Sequence, residues 1–144
     1  MTKSMHVAKL LLIDADNRYL MMYRSNHPVF GDDPDLPGGT AEPGESLEEA
    51  LVREVFEEIN VSINVSELEQ ICVSDTYSNI GTLYALYALH ASARPVITIS
   101  WEHKSYEWLE RDEFIQICQE AKDNFMHMTA DAVQITSSAH NAAL

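Results

Sequence analysis

The segment from His6 to Asp14 is apolar and compatible with a β-strand, Asp16-Asn17 is a turn signal, and Arg18 to Ser25 resumes a strand-like pattern. These positions predict a hairpin. Residues 26–38 hold Pro28, Gly31, Pro34, Pro37 and Gly38 among several acids, a composition that supports neither helix nor regular strand and marks a functional loop candidate. Pro43-Gly44 is a turn, and Ser46 followed by Glu49 three residues later is a capping-box signature that opens a helix running to about Ile59. Leu51, Val52, Val55, Phe56 and Ile59 form its apolar side. Asn60 sits where a left-handed helix stop belongs, and the β-branched Val61, Ile63 and Val65 follow at once. Strand signals recur at Leu68 to Tyr77 and Thr82 to Ala91, with a loop at Ser78 to Gly81 between them. After a loop from Ser92 to Lys104, Tyr106 to Leu109 predicts a strand. Arg111 to Lys122 has helical spacing through Phe114, Ile117, Cys118 and Ala121, and Thr129 to Ala143 predicts a terminal helix. The pattern describes one mixed α/β domain over residues 1–144, without internal repeat or linker.

Composition narrows the class. At 144 residues the chain suits a single hydrophobic core. No apolar stretch approaches the roughly 20 residues that span a bilayer. The run Val7 to Ile13 is interrupted by Lys9 and followed by acids, with no small-residue cleavage site, which argues against a secretory signal and for a cytoplasmic protein. Nine Lys and Arg against 23 Asp and Glu give a formal charge of −14. Such a field repels long polyanions and makes duplex nucleic acid a poor partner. Between Glu42 and Glu69 nine acids face one base, Arg53. A small phosphorylated substrate can bind there if divalent cations intervene. Cys72 and Cys118 are too few and too far apart for a disulfide framework or a four-cysteine zinc site, and core packing in a reducing compartment is expected.

The candidate chemistry lies on the predicted helix. Glu54, Glu57 and Glu58 group on one side at spacings of three and four residues, about 5–6 Å apart at Cβ. Like charges that close destabilise a helix. An isolated acidic face on a surface accounts for such a string, and so do hard oxygen donors gathered for Mg²⁺ or Mn²⁺, which would relieve the repulsion.

The whole string from Gly39 to Val61, GTAEPGESLEEALVREVFEEINV, decides between them, because it closely resembles the Nudix box of the Nudix hydrolase superfamily, GX5EX7REUXEEXGU with U aliphatic. Gly39, Glu45, Arg53, Glu54, Val55, Glu57, Glu58 and Val61 occupy their motif positions. Asn60 replaces the final glycine, and Asn is the residue that best tolerates the left-handed conformation after Gly. Leu36-Pro37-Gly38-Gly39 matches the usual approach to the box, with Asp35 standing where relatives often carry an aromatic. The likeness covers most of residues 5–120 and implies a small MutT-like member with an α/β/α sandwich around a mixed sheet.

The resemblance implies a hydrolase in which box glutamates hold divalent cations that bridge a diphosphate while water attacks phosphorus. Carried onto this chain, Glu54, Glu57 and Glu58 are the implied ligands of Mg²⁺ or Mn²⁺, with the Gly38 carbonyl a further one. Arg53 orients the carboxylates, and Glu45 reaches Arg53 or a metal-bound water. Relatives place another carboxylate on a late loop as ligand or general base. Glu102 is the candidate here, with Trp101 expected to fix its loop by packing, and His103 and Glu45 the alternatives. Arg24, Gly39 and Tyr77 are the implied substrate contacts. Arg24 is otherwise a surface strand residue, and Tyr77 lies at the distance after the box where dinucleoside-polyphosphate hydrolases of the family carry a tyrosine.

The expected activity is Mg²⁺-dependent pyrophosphohydrolysis of a small nucleotide derivative by a monomer or homodimer that engages neither nucleic acid nor membrane. The short chain leaves no room for the added N-terminal domain of many ADP-ribose and nucleotide-sugar pyrophosphatases, which favours a nucleoside triphosphate. Nucleotide sugars of the GDP-mannose type and dinucleoside polyphosphates are the alternatives, and the segments HKSYEWL and DNFMH resemble the mannosyl-hydrolase branch. A non-catalytic nucleotide-sensing domain is the rival from another class. Such domains commonly lose box carboxylates, whereas all three are present here.

Overall fold

The computed structural model describes residues 5–143, with side chains described through residue 135. The predicted hairpin is there: β1 (His6–Ile13) and β2 (Tyr19–Arg24) are antiparallel, joined by a turn in which Asp14 accepts the Asp16 and Arg18 N–H groups, both at 2.9 Å. Asn17 takes φ 60° in that turn, a conformation Asn tolerates. Two short strands follow, β3 (Pro34–Asp35) and β4 (Gly38–Thr40). They correct the reading of residues 26–38 as strand-free. β3 exists because it pairs with the edge of β2, a tertiary contact that two residues cannot announce locally.

Helix α1 (Leu47–Ile59) has the predicted capping box, with Ser46 and Glu49 exchanging side-chain to backbone bonds at 3.1 Å. Asn60 closes it at φ 58°, ψ 35°, donating its N–H to the Phe56 carbonyl. Leu51, Val55 and Ile59 form the buried stripe at four-residue steps. Phe56 does not belong to it and is 52% exposed, because it lies one step around the helix from Val55.

A 3-10 turn (Val65–Glu67) leads to β5 (Glu69–Ser74) and β6 (Leu83–His90). The first of these strands stops three residues short of the predicted Tyr77. β7 (His103–Leu109) begins three residues before its predicted start, since its polar residues Lys104 and Ser105 are on an exposed edge that pairs with β2. Helices α2 (Arg111–Glu120) and α3 (Asn124–Ala143) complete the chain, α3 starting five residues before the predicted Thr129. Among the described residues no helix is long and apolar enough to cross a membrane.

The sheet is mixed, ordered β3-β2-β1-β6-β5, with β4 added to β1 and β7 to β2. β1 and β6 are parallel and the other pairs antiparallel. Alternation along the central strands divides two cores. Leu10, Leu12, Ala85 and Tyr87 meet Leu51, Val55 and Ile59 of α1, whereas Leu11, Ile13, Leu86 and Ala88 meet Phe114, Cys118, Phe125 and Met126 of α2 and α3. Helices therefore cover both faces, giving an α/β/α sandwich. Cys118 is buried among these side chains and burial pushes its thiol up to about 12, as suits a packing residue.

Candidate active site

The box residues converge where β4 meets α1. Gly38 has φ +140°, and a Cβ there would stand 2.2 Å from the Ala8 carbonyl oxygen, so only glycine permits this crossing of β1. The absent Cβ of Gly39 would fall 2.7 Å from the Glu54 carboxyl carbon. Two adjacent glycines thus let the backbone lie directly against the acidic face of the helix.

Arg53 organises that face. Its Nε and Nη2 grip both oxygens of Glu45 at 2.8 and 2.9 Å, Nη1 reaches Glu54 at 2.8 Å and Glu57 at 3.4 Å, and Nη2 also donates to the Thr40 carbonyl. The bidentate clamp holds Glu45 down to about 2 and ties the loop before the helix to the carboxylates. Glu58 is buried and accepts the Gly38 N–H at 3.1 Å. Burial, reinforced by the negative charge of Asp35, pushes its carboxyl up to about 9. Glu54 is raised too, first by burial and then by Glu57 and Glu102, although Arg53 opposes the shift. Two acids in one cavity thus resist ionisation, a state that an added cation relieves.

Behind the carboxylates lies a buried ion network. Asp35 receives Lys9 Nζ, Arg24 Nη2 at 3.1 Å, His103 Nε2 at 2.9 Å and the Leu36 N–H at 2.9 Å. Burial alone would raise the Asp35 carboxyl. Lys9, His103 and Arg24 outweigh it and hold the group well below the ordinary carboxylate range. Arg24 also meets Asp123 at 2.9 Å and Asp33 at 3.7 Å, and its guanidinium lies 4.6 Å from the Phe30 ring centroid. It is not a surface strand residue: its side chain is buried and engaged by carboxylates.

A cavity of about 450 Å³ opens over this assembly, lined by Lys9, Arg24, Gly38, Gly39, Glu54 and Glu58 and, from the late loop, by Glu102. The cavity unites the expected residues except Glu45, Arg53, Glu57 and Tyr77. Glu45 and Arg53 stand behind the lining as its support, and Tyr77 lies outside it, its hydroxyl donating to Asp131 on α3. Glu57 is the most exposed box carboxylate, at 57%. Glu102 is held over the cavity by its own backbone, its carbonyl accepting the Ser25 N–H at 3.0 Å. Trp101 does not pack to fix the loop and is 86% exposed. His103 is enclosed, with Nδ1 buried and unpartnered among the described residues.

Sequence reasoning passed over Lys9, Asp35 and Asp123 as site residues. Lys9 carried a signal, a lone charge inside an apolar strand, but its partners stand 26 and more residues away.

A NUDIX domain profile matches residues 3–128. The chain belongs to the Nudix family. It is 34% identical over 113 residues, covering 72% of this chain and 80% of the relative, to the nucleoside triphosphatase NudI of Salmonella arizonae. The fold resembles a MutT protein from Methanosarcina mazei, with TM-score 0.72 and 20% identity over 97% of this chain and 98% of that one. It also resembles an Ap4A hydrolase from C. elegans, with TM-score 0.68 and 21% identity over 96% and 99% of the two chains. As a Nudix hydrolase the protein acts on phosphoanhydride bonds of a nucleotide-like substrate.

Proposed function

We propose that the protein is a Mg²⁺- or Mn²⁺-dependent pyrophosphohydrolase of nucleoside triphosphates. The observation that carries this reading is a pair of adjoining recesses. The carboxylate cavity shares Lys9, Arg24, Gly39 and Thr40 with a second groove of about 550 Å³, lined by Phe30, Ile80, Tyr84 and Phe125 with the amides of Asn79 and Asn124. Charged and apolar recesses side by side suit a ligand with a polyphosphate at one end and a flat heterocycle at the other, the amides supplying donors and acceptors for a base edge. The NudI relative, described as a nucleoside triphosphatase, supports the same substrate class.

Among the described residues no three His, Cys, Asp or Glu side chains converge as an all-protein metal cage. Mg²⁺ does not require one. It keeps several waters and is bound by one or two carboxylates together with substrate phosphates. The donor set fits that mode, with Glu54, Glu57 and Glu58 on one rigid helix face and the Gly38 carbonyl as a further oxygen. The bound metal would neutralise phosphate charge and lower the pKa of a water.

The chain's own residues supply the remainder. Arg53 holds Glu54 and Glu57 in position through charge-assisted bonds. Gly39 keeps the backbone close enough to admit the phosphates beside Glu54. Glu102, approaching from the β7 side, accepts the proton of the attacking water. Attack at one phosphorus breaks one P–O–P bond and releases two phosphorylated products.

Turnover of a nucleotide panel should occur with Mg²⁺ or Mn²⁺ and vanish with a chelator, product formation being followed chromatographically. A broad panel without metal-dependent turnover would overturn the proposal. Glu102→Gln should lower the rate at saturating substrate by roughly 10²-fold or more, with partial recovery as hydroxide rises. An unchanged rate and pH profile would remove Glu102 from the base role.

A further inference from the structure

Resting on that reading, we infer that Asp33 and Asp131 are positioning residues that assemble the nucleoside groove by tying its two loop walls to the start of α3. Neither lines the groove itself. Val29 and Phe30 reach it from the loop before β3, Asn79 and Ile80 from the loop between β5 and β6, and Asn124 and Phe125 from the first turn of α3. Phe125 is buried, whereas Val29 is 73% and Ile80 82% exposed. One wall is therefore core, and the other two are surface loops whose approach to it has to be fixed from elsewhere.

Asp33 fixes the first loop. Its side chain is 7% exposed, and its two oxygens accept the Lys122 N–H at 3.0 and 3.1 Å and the Asp123 N–H at 3.1 Å, from the two residues that precede α3. The Asp33 N–H donates to the Phe30 carbonyl at 3.1 Å. One residue thus holds Phe30 through its backbone and the α2–α3 turn through its carboxylate. Bonds from backbone N–H groups to a buried carboxylate are charge-assisted, and about twice as strong as neutral ones. Asp123 carries the connection onward, since its Oδ1 accepts the Phe125 N–H at 2.9 Å.

Asp131 fixes the second loop. It stands on α3 about two turns beyond Asn124 and accepts the Tyr77 hydroxyl. The bond to that carboxylate pushes the hydroxyl up to about 12, so it remains a donor at neutral pH. Tyr77 leads directly into a closed turn, in which Ser78 accepts the Ile80 N–H on Oγ at 3.2 Å and the Gly81 N–H on its carbonyl at 3.4 Å. The position of Asn79 and Ile80 follows that of Tyr77. Both straps end on one helix, so the spacing between the loop walls is set through α3, and Tyr77 acts on the substrate through its loop rather than by contact.

Calorimetry with Mg²⁺ would compare a methylene-bridged nucleoside triphosphate with inorganic tripolyphosphate, which presents the phosphate chain without a nucleoside. Asp131→Ala and Tyr77→Phe should each weaken the nucleotide about threefold to tenfold, the loss expected of one charged hydrogen bond, and leave tripolyphosphate unchanged. Combined, they should cost no more than either alone, because they remove the same bond. Asp33→Ala should weaken the nucleotide about tenfold or more, and Asp33→Asn, which keeps one acceptor oxygen, by less. In turnover, Asp131→Ala should raise KM for the triphosphate while kcat stays within about twofold of the wild type. Equal weakening of nucleotide and tripolyphosphate would overturn the inference, and additive losses at Tyr77 and Asp131 or unchanged nucleotide binding in either set of variants would overturn that strap. If Asp33→Ala does not fold, Asp33→Asn decides the first strap. A wild type that binds the nucleotide no more tightly than tripolyphosphate would show that the groove holds no nucleoside, and both straps would fall with it. Turnover of another nucleotide with none of triphosphates would overturn only the proposed substrate, and the same split should then appear with that nucleotide.

Discussion

Glu57→Gln and Glu58→Gln should each retain the fold and lose most hydrolytic activity, roughly 10²-fold or more in kcat, the equivalent of about 3 kcal/mol of transition-state stabilisation. Glutamine keeps the shape of the side chain and removes the negative charge that a hard cation needs. The two positions test different parts of the site. Glu57 is the open carboxylate, linked to Arg53 at 3.4 Å, and its replacement changes little in the folded core. Glu58 is buried and bonded to the Gly38 N–H, a bond that a glutamine oxygen preserves. Because burial already disfavours its charge in the absence of a cation, Glu58→Gln should leave the metal-free protein at least as stable as the wild type. Circular dichroism and thermal unfolding would establish the fold, and Mg²⁺ titrations of activity would separate lost metal affinity from lost rate. Near-normal turnover in either variant would make that carboxylate a bystander.

What the sequence made legible follows from how local each signal is. Helix α1 was readable because its start, stripe and stop lie within fifteen residues: the Ser46–Glu49 box, the Leu51, Val55, Ile59 steps, and left-handed Asn60. Glu54, Glu57 and Glu58, the candidate metal-binding acids, ride on that helix, so their placement was readable with it. The short strand β3 was not, since its existence depends on pairing Asp35 with Met22. Arg24 looked exposed because strand position does not reveal whether a charge has partners, and its partner Asp123 is 99 residues away. Trp101 illustrates the opposite error. Size and apolarity suggested packing, but the loop turns its ring outward. Tyr77 likewise gained a partner, Asp131, that no spacing after the box foretold.

The same network yields the largest stability effect. Asp35→Asn should destabilise the protein by about 3–5 kcal/mol at neutral pH, because it leaves buried Lys9 and Arg24 facing one fewer negative charge. The amide preserves volume and can still accept hydrogen bonds, so lost charge rather than a cavity dominates the cost. Lys9 is anchored on β1, Arg24 on β2 and His103 on β7, and the carboxylate at their centre holds the floor of the candidate cavity together. The pH dependence provides the decisive signature. The folded Asp35 carboxyl is depressed below its reference of 3.8, so its stabilisation is present above that value and is lost as pH falls through the folded pKa. The gap between wild type and Asp35→Asn, measured by denaturant unfolding, should therefore be full near pH 7 and narrow only in strong acid. A gap that stayed constant into acid would mean that Asp35 acts through packing alone. No gap at pH 7 would mean that Asp33 and Asp123 already balance the two cations without it.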